Sequence, residues 1–145
     1  IQYGIGISLV LLVMTTSFLY LISLSMKPYQ DARLEGEKLA KQYAELEKAD
    51  QVDFFNGSEA YYSVLGHNKK QEAIAVLIEK NDHKIYVYQL DKGISQDKAA
   101  TISREKGASD IDKVTFGRYQ DKPIWEVKSG NQYYLVDFET GAVIQ

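Results

Sequence analysis

Residues 75–94, AVLIEKNDHKIYVYQLDKGI, lie without a gap on residues 123–142, PIWEVKSGNQYYLVDFETGA, at a constant offset of 48. In both stretches an alternating apolar run stops at a polar turn, Asn81-Asp82-His83 or Ser129-Gly130-Asn131. A second alternating run then ends on an acid-x-Gly step, Asp91-Lys92-Gly93 or Glu139-Thr140-Gly141. Alternation at period two, broken by turn residues, is the signature of a hairpin, and its recurrence is the signature of a repeated unit. The identities are few: Lys80 with Lys128, Tyr86 with Tyr134, Gly93 with Gly141. The pattern therefore predicts a duplication of one small αβ unit, carried by periodicity more than by residue identity.

Each hairpin has a helix ahead of it. Upstream of the first, residues 29–47 place Ala32, Gly36, Leu39, Ala40, Tyr43 and Leu46 at three- and four-residue spacing, with Glu37, Lys41 and Glu45 on the other side. The stripe lasts barely two heptads, too short for a coiled-coil stalk, so a helix packed on a sheet is expected. Strands follow at 51–55 and 59–65, flanking Asn56-Gly57, a turn whose central residues are expected at positive φ. Strands at 71–80 and 84–90 complete the first unit. Asn56-Gly57-Ser58 is also a glycosylation sequon, which the turn accounts for without a glycan.

The second unit opens on a helix at 96–106. Ser95 is suited to the N-cap, Asp97 to the first turn and Gly107 to the stop. Strands at 111–119, 123–128 and 132–138, with a tail strand at 142–144, complete it. The fold class is thus α+β, each half a helix on an antiparallel meander sheet.

No charged residue occurs between Ile1 and Met26. About twenty residues rising 1.5 Å each cover a hydrocarbon core of about 30 Å, so this segment is expected to span a membrane. A cleaved signal peptide would need a shorter apolar stretch and a small-x-small site, for which Ser23-Leu24-Ser25 is a poor match. Pro28 is expected to end the anchor and to begin a new helix. The divisions that follow are an anchor at 1–26, a first unit at 27–94 and a second at 95–145. Lys27 and Arg33 flank the span but are diluted by Asp31, Glu35 and Glu37, so the expected topology is a cytoplasmic N-terminus and an extracellular domain. The chain opens on Ile1, so a short cytoplasmic stub is expected ahead of it.

All charge lies behind the anchor, and its net value is −3. A phosphate-binding surface needs a basic excess, so nucleic acid is not an expected partner. With no cysteine there are no disulfides and no thiolate metal sites. His67 and His83 fall in polar turns outside any metal-ligand spacing and are expected to be solvated. No serine sits in a nucleophile elbow. Asp137 and Glu139 share a strand face by spacing alone, and Asp137 is assigned to a turn, accepting backbone N–H groups ahead of Gly141. No enzyme activity, metal, cofactor or small-molecule substrate is expected. Trp125 alternates with Val127 and reads as core. Eleven tyrosines are the one excess. Tyr61, Tyr62, Tyr86, Tyr88, Tyr133 and Tyr134 are the candidates for partner binding, because adjacent strand residues point to opposite faces and one of each pair should be exposed.

The last strand, Tyr133-Tyr134-Leu135-Val136-Asp137-Phe138-Glu139-Thr140-Gly141-Ala142-Val143, is similar to the end of the PepSY module, with Asp137, Thr140, Gly141 and Val143 matching its aspartate-x-x-threonine-glycine-x-valine. The anchor, the juxtamembrane helix, the run 52–66 with its tyrosine-rich strand after Asn56-Gly57, and the PepSY-like end together resemble the TseB-like family, also called YpmB, of Gram-positive bacteria. The resemblance covers essentially the whole chain. It implies a single-pass surface protein with two cystatin-like units that associates with a penicillin-binding protein and influences cell-wall elongation, and it supplies no site residue. PepSY relatives suggest an alternative, an inhibitor or regulator of a secreted or surface peptidase. A wall-polymer hydrolase would need paired acids in a cleft.

Overall fold

The structure is a computed structural model and describes residues 2–144. It comprises two compact units, Ile1–Leu34 and Glu35–Gln145. Helix α1 runs Gln2–Tyr43 with Pro28 inside it. The expected break at Pro28 is absent: proline removes one backbone bond, at a cost of about 3 kcal/mol, while residues on both sides favour helix and propagate through it. In the first unit the helix leaves Leu9, Leu12 and Leu19 about three-fifths exposed and is long and apolar enough to cross a membrane, the character of an anchor or a signal sequence.

The second unit holds two antiparallel sheets. One is the meander β1(Leu46–Asn56), β2(Ala60–Asn68), β3(Ala73–Glu79), β4(Ile85–Gln89), in that order; the other is β5(Lys113–Tyr119), β6(Lys122–Ser129), β7(Gln132–Asp137). Helix α2(Gln96–Glu105) precedes the second sheet, with the Ser95 side chain accepting from the Lys98 N–H at its N-cap. The tail expected as a strand at 142–144 makes one bridge, Val143 to Val136.

Period two sorts the first sheet into two apolar faces. On one, Val52, Val64, Ile74, Val76 and Ile78 pack with Ala40 of α1 and with Ala44 just past its end. The helix line that is buried is Gly36, Ala40 and Ala44, and Tyr43, expected on the stripe, is 62% exposed. Small residues let the helix lie close to the strands. The helix was expected to reach residue 47; instead Glu45 takes φ 57 and Leu46 already begins β1. Leu46 is buried against the sheet, and that burial, worth about 1.5–3 kcal/mol, outweighs the helix propensity of the surrounding Glu and Lys.

On the other face, Phe55, Tyr61, Leu65, Ala75 and Leu77 join Ala99 of α2 and Phe116, Ile124, Trp125, Val127, Leu135, Val136 and Phe138 of the second half in one core. Phe116 sits edge-on to Trp125 at 4.9 Å and to Phe138 at 5.2 Å. Trp125 Nε1 donates to the Ile94 carbonyl at 3.0 Å, so the indole is core at its body and satisfied at its polar end.

The two repeated hairpins differ in their turns. In the first, Glu79 N–H donates to the Lys84 carbonyl across four turn residues, 80–83; in the second, Ser129 pairs with Gln132 across Gly130-Asn131 alone. The gapless overlay is therefore two residues out of register on one strand, a slip that keeps every side chain on its face. The exit steps also diverge, because Gly141 takes φ +76 whereas Gly93 is extended at φ −146. The turn expected at Asn56-Gly57 also differs: neither residue is at positive φ, and residues 57–59 form a longer loop between paired Asn56 and Ala60. The two-residue turn with both φ positive is Gln120-Asp121, at 46° and 65°.

Gly117 marks the closest approach of the sheets: a Cβ there would meet the Phe55 ring at 2.5 to 2.6 Å. Gly117→Ala is expected to lower stability by about 1–3 kcal/mol through overpacking, read as a drop in thermal midpoint, whereas Gly130→Ala should act only through its backbone angle.

Candidate functional site

The six tyrosines part into three environments. Tyr61, Tyr86 and Tyr88 gather where the sheets meet. The Arg118 guanidinium lies 4.1 Å over the Tyr86 ring, Tyr61 is edge-on to Tyr86 at 6.3 Å, and Tyr88 packs on Phe116 at 5.5 Å. Tyr61 is 3% exposed, so it is core and drops out as a contact residue. Burial pushes its hydroxyl up to about 12, its hydrogen bond to Glu59 adds to the rise and Arg118 opposes it. Among the described residues, Glu79 Oε2 and Arg118 Nε are buried without a hydrogen-bond partner.

Tyr62 lies on the opposite face of the first sheet, half-buried, with its ring 5.6 Å from Phe54 and the Lys80 ammonium 5.1 Å above it. Tyr134 is half-buried and donates to Gln132 Oε1 at 2.8 Å. Tyr133, at 53%, is the most exposed of the six.

Tyr133 also lines a concave surface. A groove of about 390 Å³ is walled by Phe54 and Asn56 of β1 and by Lys113, Thr115, Glu126, Lys128 and Tyr133 of the second sheet. The register explains the grouping: Lys113 is opposite Lys128, Thr115 opposite Glu126, and Lys128 opposite Tyr133, all on one face. Two lysines directly opposite would repel, and Lys113 instead reaches Asp53 Oδ1 at 2.9 Å. Burial raises the Glu126 carboxyl above its ordinary value, and Lys113 opposes the rise. On the Phe54 side Lys80 Nζ stands 4.5 Å over the ring. The groove thus offers two ammonium groups, one carboxyl and two aromatic faces. Glu126 is opposite Thr115 and Leu135, so its carboxyl stands among ammonium groups and rings. Sequence reasoning missed Lys113, Thr115, Glu126 and Lys128. Their period-two spacing on neighbouring strands was the available signal, but it could not indicate that the first sheet's edge would wall the same face.

His67 Nδ1 lies 2.8 Å from Asp50 Oδ2 and His83 is exposed; no group of three or more metal-ligating side chains forms among the described residues. Asp137 Oδ1 accepts the N–H groups of Glu139 and Thr140, both at 2.9 Å, and the Asp137 carbonyl accepts from Gly141 at 2.9 Å.

An apolar helical segment followed by two antiparallel sheets sharing a core is the class this molecule defines. The model of the cell wall elongation regulator TseB-like domain matches residues 35–79, the stretch from the packed end of α1 through β3. The chain is 35% identical over 143 aligned positions to the probable cell wall elongation regulator TseB of Bacillus subtilis (strain 168), covering 88% of each chain. The solved YpmB protein from Bacillus subtilis superposes at a TM-score of 0.64 with 35% identity, covering 77% of this chain and 92% of that one. The chain belongs to the TseB-like family.

Burial works to raise the Asp137 pKa, and the Thr140 and Glu139 N–H groups, with the Thr140 hydroxyl, outweigh it and hold the carboxyl below its ordinary range. A folded-state pKa below the unfolded one stabilises the fold above the unfolded value of about 3.9, and that stability is lost as pH falls through the folded value. Asp137→Asn should therefore cost about 1.5–3 kcal/mol at neutral pH, with a shallower loss of stability on acidification, measured by denaturant titrations at a series of pH values.

Proposed function

We propose that this protein is a non-enzymatic, membrane-anchored regulator of cell-wall elongation, with the N-terminus in the cytoplasm and the folded unit outside the cell, which acts by binding a penicillin-binding protein. The observation that carries this reading is the 35% identity, across 88% of both chains, to a relative named as a probable cell wall elongation regulator. The charge-free run 1–26 supports the anchor, and a long domain behind a single span supports the orientation. Residues 27–94 and 95–145 are read as two cystatin-like, PepSY-like copies of one helix-and-meander unit, which differ in strand number, turn length and exit step.

The Tyr133 groove is the docking surface in this reading. Interface energy concentrates on a few aromatic and basic side chains, and the groove presents Tyr133 and Phe54 beside Lys113 and Lys128. A photoreactive residue at position 133 in living cells is expected to capture a penicillin-binding protein, and Tyr133→Ala should weaken that capture by about 1–3 kcal/mol without moving the thermal midpoint. Capture of a secreted or surface peptidase in its place would transfer the assignment to the alternative, a PepSY-type peptidase regulator. Unaltered capture by Tyr133→Ala would remove the groove from the account.

A further inference from the structure

Three of the four outer sheet edges are managed. The β7 edge is covered by the tail, with Ile144 N–H donating to the Leu135 carbonyl at 2.7 Å and Asp137 N–H to the Ala142 carbonyl at 2.8 Å. At the β5 edge the Val114 carbonyl accepts from the side-chain amides of Gln96 and Gln51, at 2.9 and 3.3 Å. The β1 edge carries two register shifts and the charges of Lys48 and Asp50. The β4 edge has none of these devices. Its sequence, Ile85-Tyr86-Val87-Tyr88-Gln89, has no charge, proline or glycine, it pairs with β3 without a shift, and Val87 is 49% exposed. A bare, high-propensity edge of this kind is a template for another strand.

The direction of its free groups follows from one bond. Glu79 N–H donates to the Lys84 carbonyl at 2.9 Å, so Glu79 and Lys84 form a hydrogen-bonded pair. Alternation then turns the backbone of Tyr86 and Tyr88 inward to β3 and that of Ile85, Val87 and Gln89 outward. Those three outward positions are symmetric about Val87. An antiparallel copy of the same strand, placed by a two-fold axis through Val87, pairs Val87 with itself and Ile85 with Gln89, and each pair exchanges both of its hydrogen bonds. Because Ile85–Gln89 carries no charge, the same axis sets no like charges face to face along the strand. We propose that the β4 edge is the site of self-association, two copies joining their four-stranded sheets into one of eight strands. A five-residue edge buries less than the roughly 1,200 Å² of a stable soluble interface, so association is expected to depend on two chains held in one membrane, where their effective concentration is high.

Residues 1–145 contain no cysteine, so single substitutions in membrane vesicles report the register directly. In the two-fold pairing the Val87 Cα atoms lie about 5.5 Å apart, within the span a disulfide bridges, whereas Ile85 lies about 14 Å from its own copy. Val87→Cys is expected to oxidise to a disulfide dimer several-fold more completely than Ile85→Cys or Gln89→Cys alone, and mixing the last two should restore the dimer. Val87→Pro removes an outward-facing N–H, which an edge strand tolerates, so it should abolish the mixed crosslink while leaving the Trp125 fluorescence melt unchanged. Equal yields from all three single variants, a mixed crosslink that survives Val87→Pro, or crosslinking to a different protein in place of a second copy would each overturn the proposal.

Discussion

The contact on which the second unit depends is the aromatic seam between its two sheets. Phe55 of β1 rests on the bare backbone of Gly117, Tyr88 of β4 packs on Phe116, and Phe116 is in turn edge-on to both Trp125 and Phe138. Three short strands and a ten-residue helix are too little to bury a core alone, so the second sheet is stable only because the first lends it a face. The first sheet is in the complementary position. Its far face is closed by the end of α1 and by Ala44 just past it, but Tyr61, Leu65, Ala75 and Leu77 would be open to water without the second sheet. Arg118 at the seam shows the electrostatic side of the same constraint, with its guanidinium stacked on Tyr86 and one edge paired to Asp121 at 3.0 Å.

That constraint explains which surfaces are left for recognition. Packing the first sheet against the second consumes Tyr61 of β2 and half-buries Tyr86 and Tyr88 of β4, so half of the six candidate tyrosines are spent on the fold. What remains outward is the face of the second sheet turned toward β1, with Tyr133, Lys113 and Lys128, and the unprotected β4 edge. The two are chemically different. One is a charged and aromatic groove suited to a protein surface; the other is a row of backbone groups suited to a strand.

Much of the architecture was legible because periodicity reports burial directly. The seven strands follow the alternating runs to within a few residues, except that β1 starts five residues earlier than the expected strand, and the Ser95 cap fixes the start of α2. What was not legible depended on distant partners. Leu46 reads as helix locally and becomes strand because the first sheet buries it, while Pro28 reads as a boundary but costs only one bond in a helix long enough to absorb it. Asn56-Gly57 reads as a two-residue turn, yet the observed loop is longer, and the two-residue turn falls at Gln120-Asp121, residues with no such signal. The site divided in the same way. The turn role of Asp137 follows from its spacing to Gly141, whereas the groove joins β1 to strands nearly sixty residues later and could be seen only once the sheets were stacked.

The central claim is that the two sheets share one core and stand or fall together, and the single tryptophan tests it, because Trp125 belongs to the second sheet. Ile78→Ala opens a cavity in the cluster on the far face of the first sheet, at an expected cost of about 2–5 kcal/mol. If the sheets form one cooperative body, the denaturant midpoint read by Trp125 fluorescence in the full chain falls by the whole of that loss, in step with far-ultraviolet circular dichroism. A Trp125 transition that stays where it was while the dichroism transition moves would contradict the account.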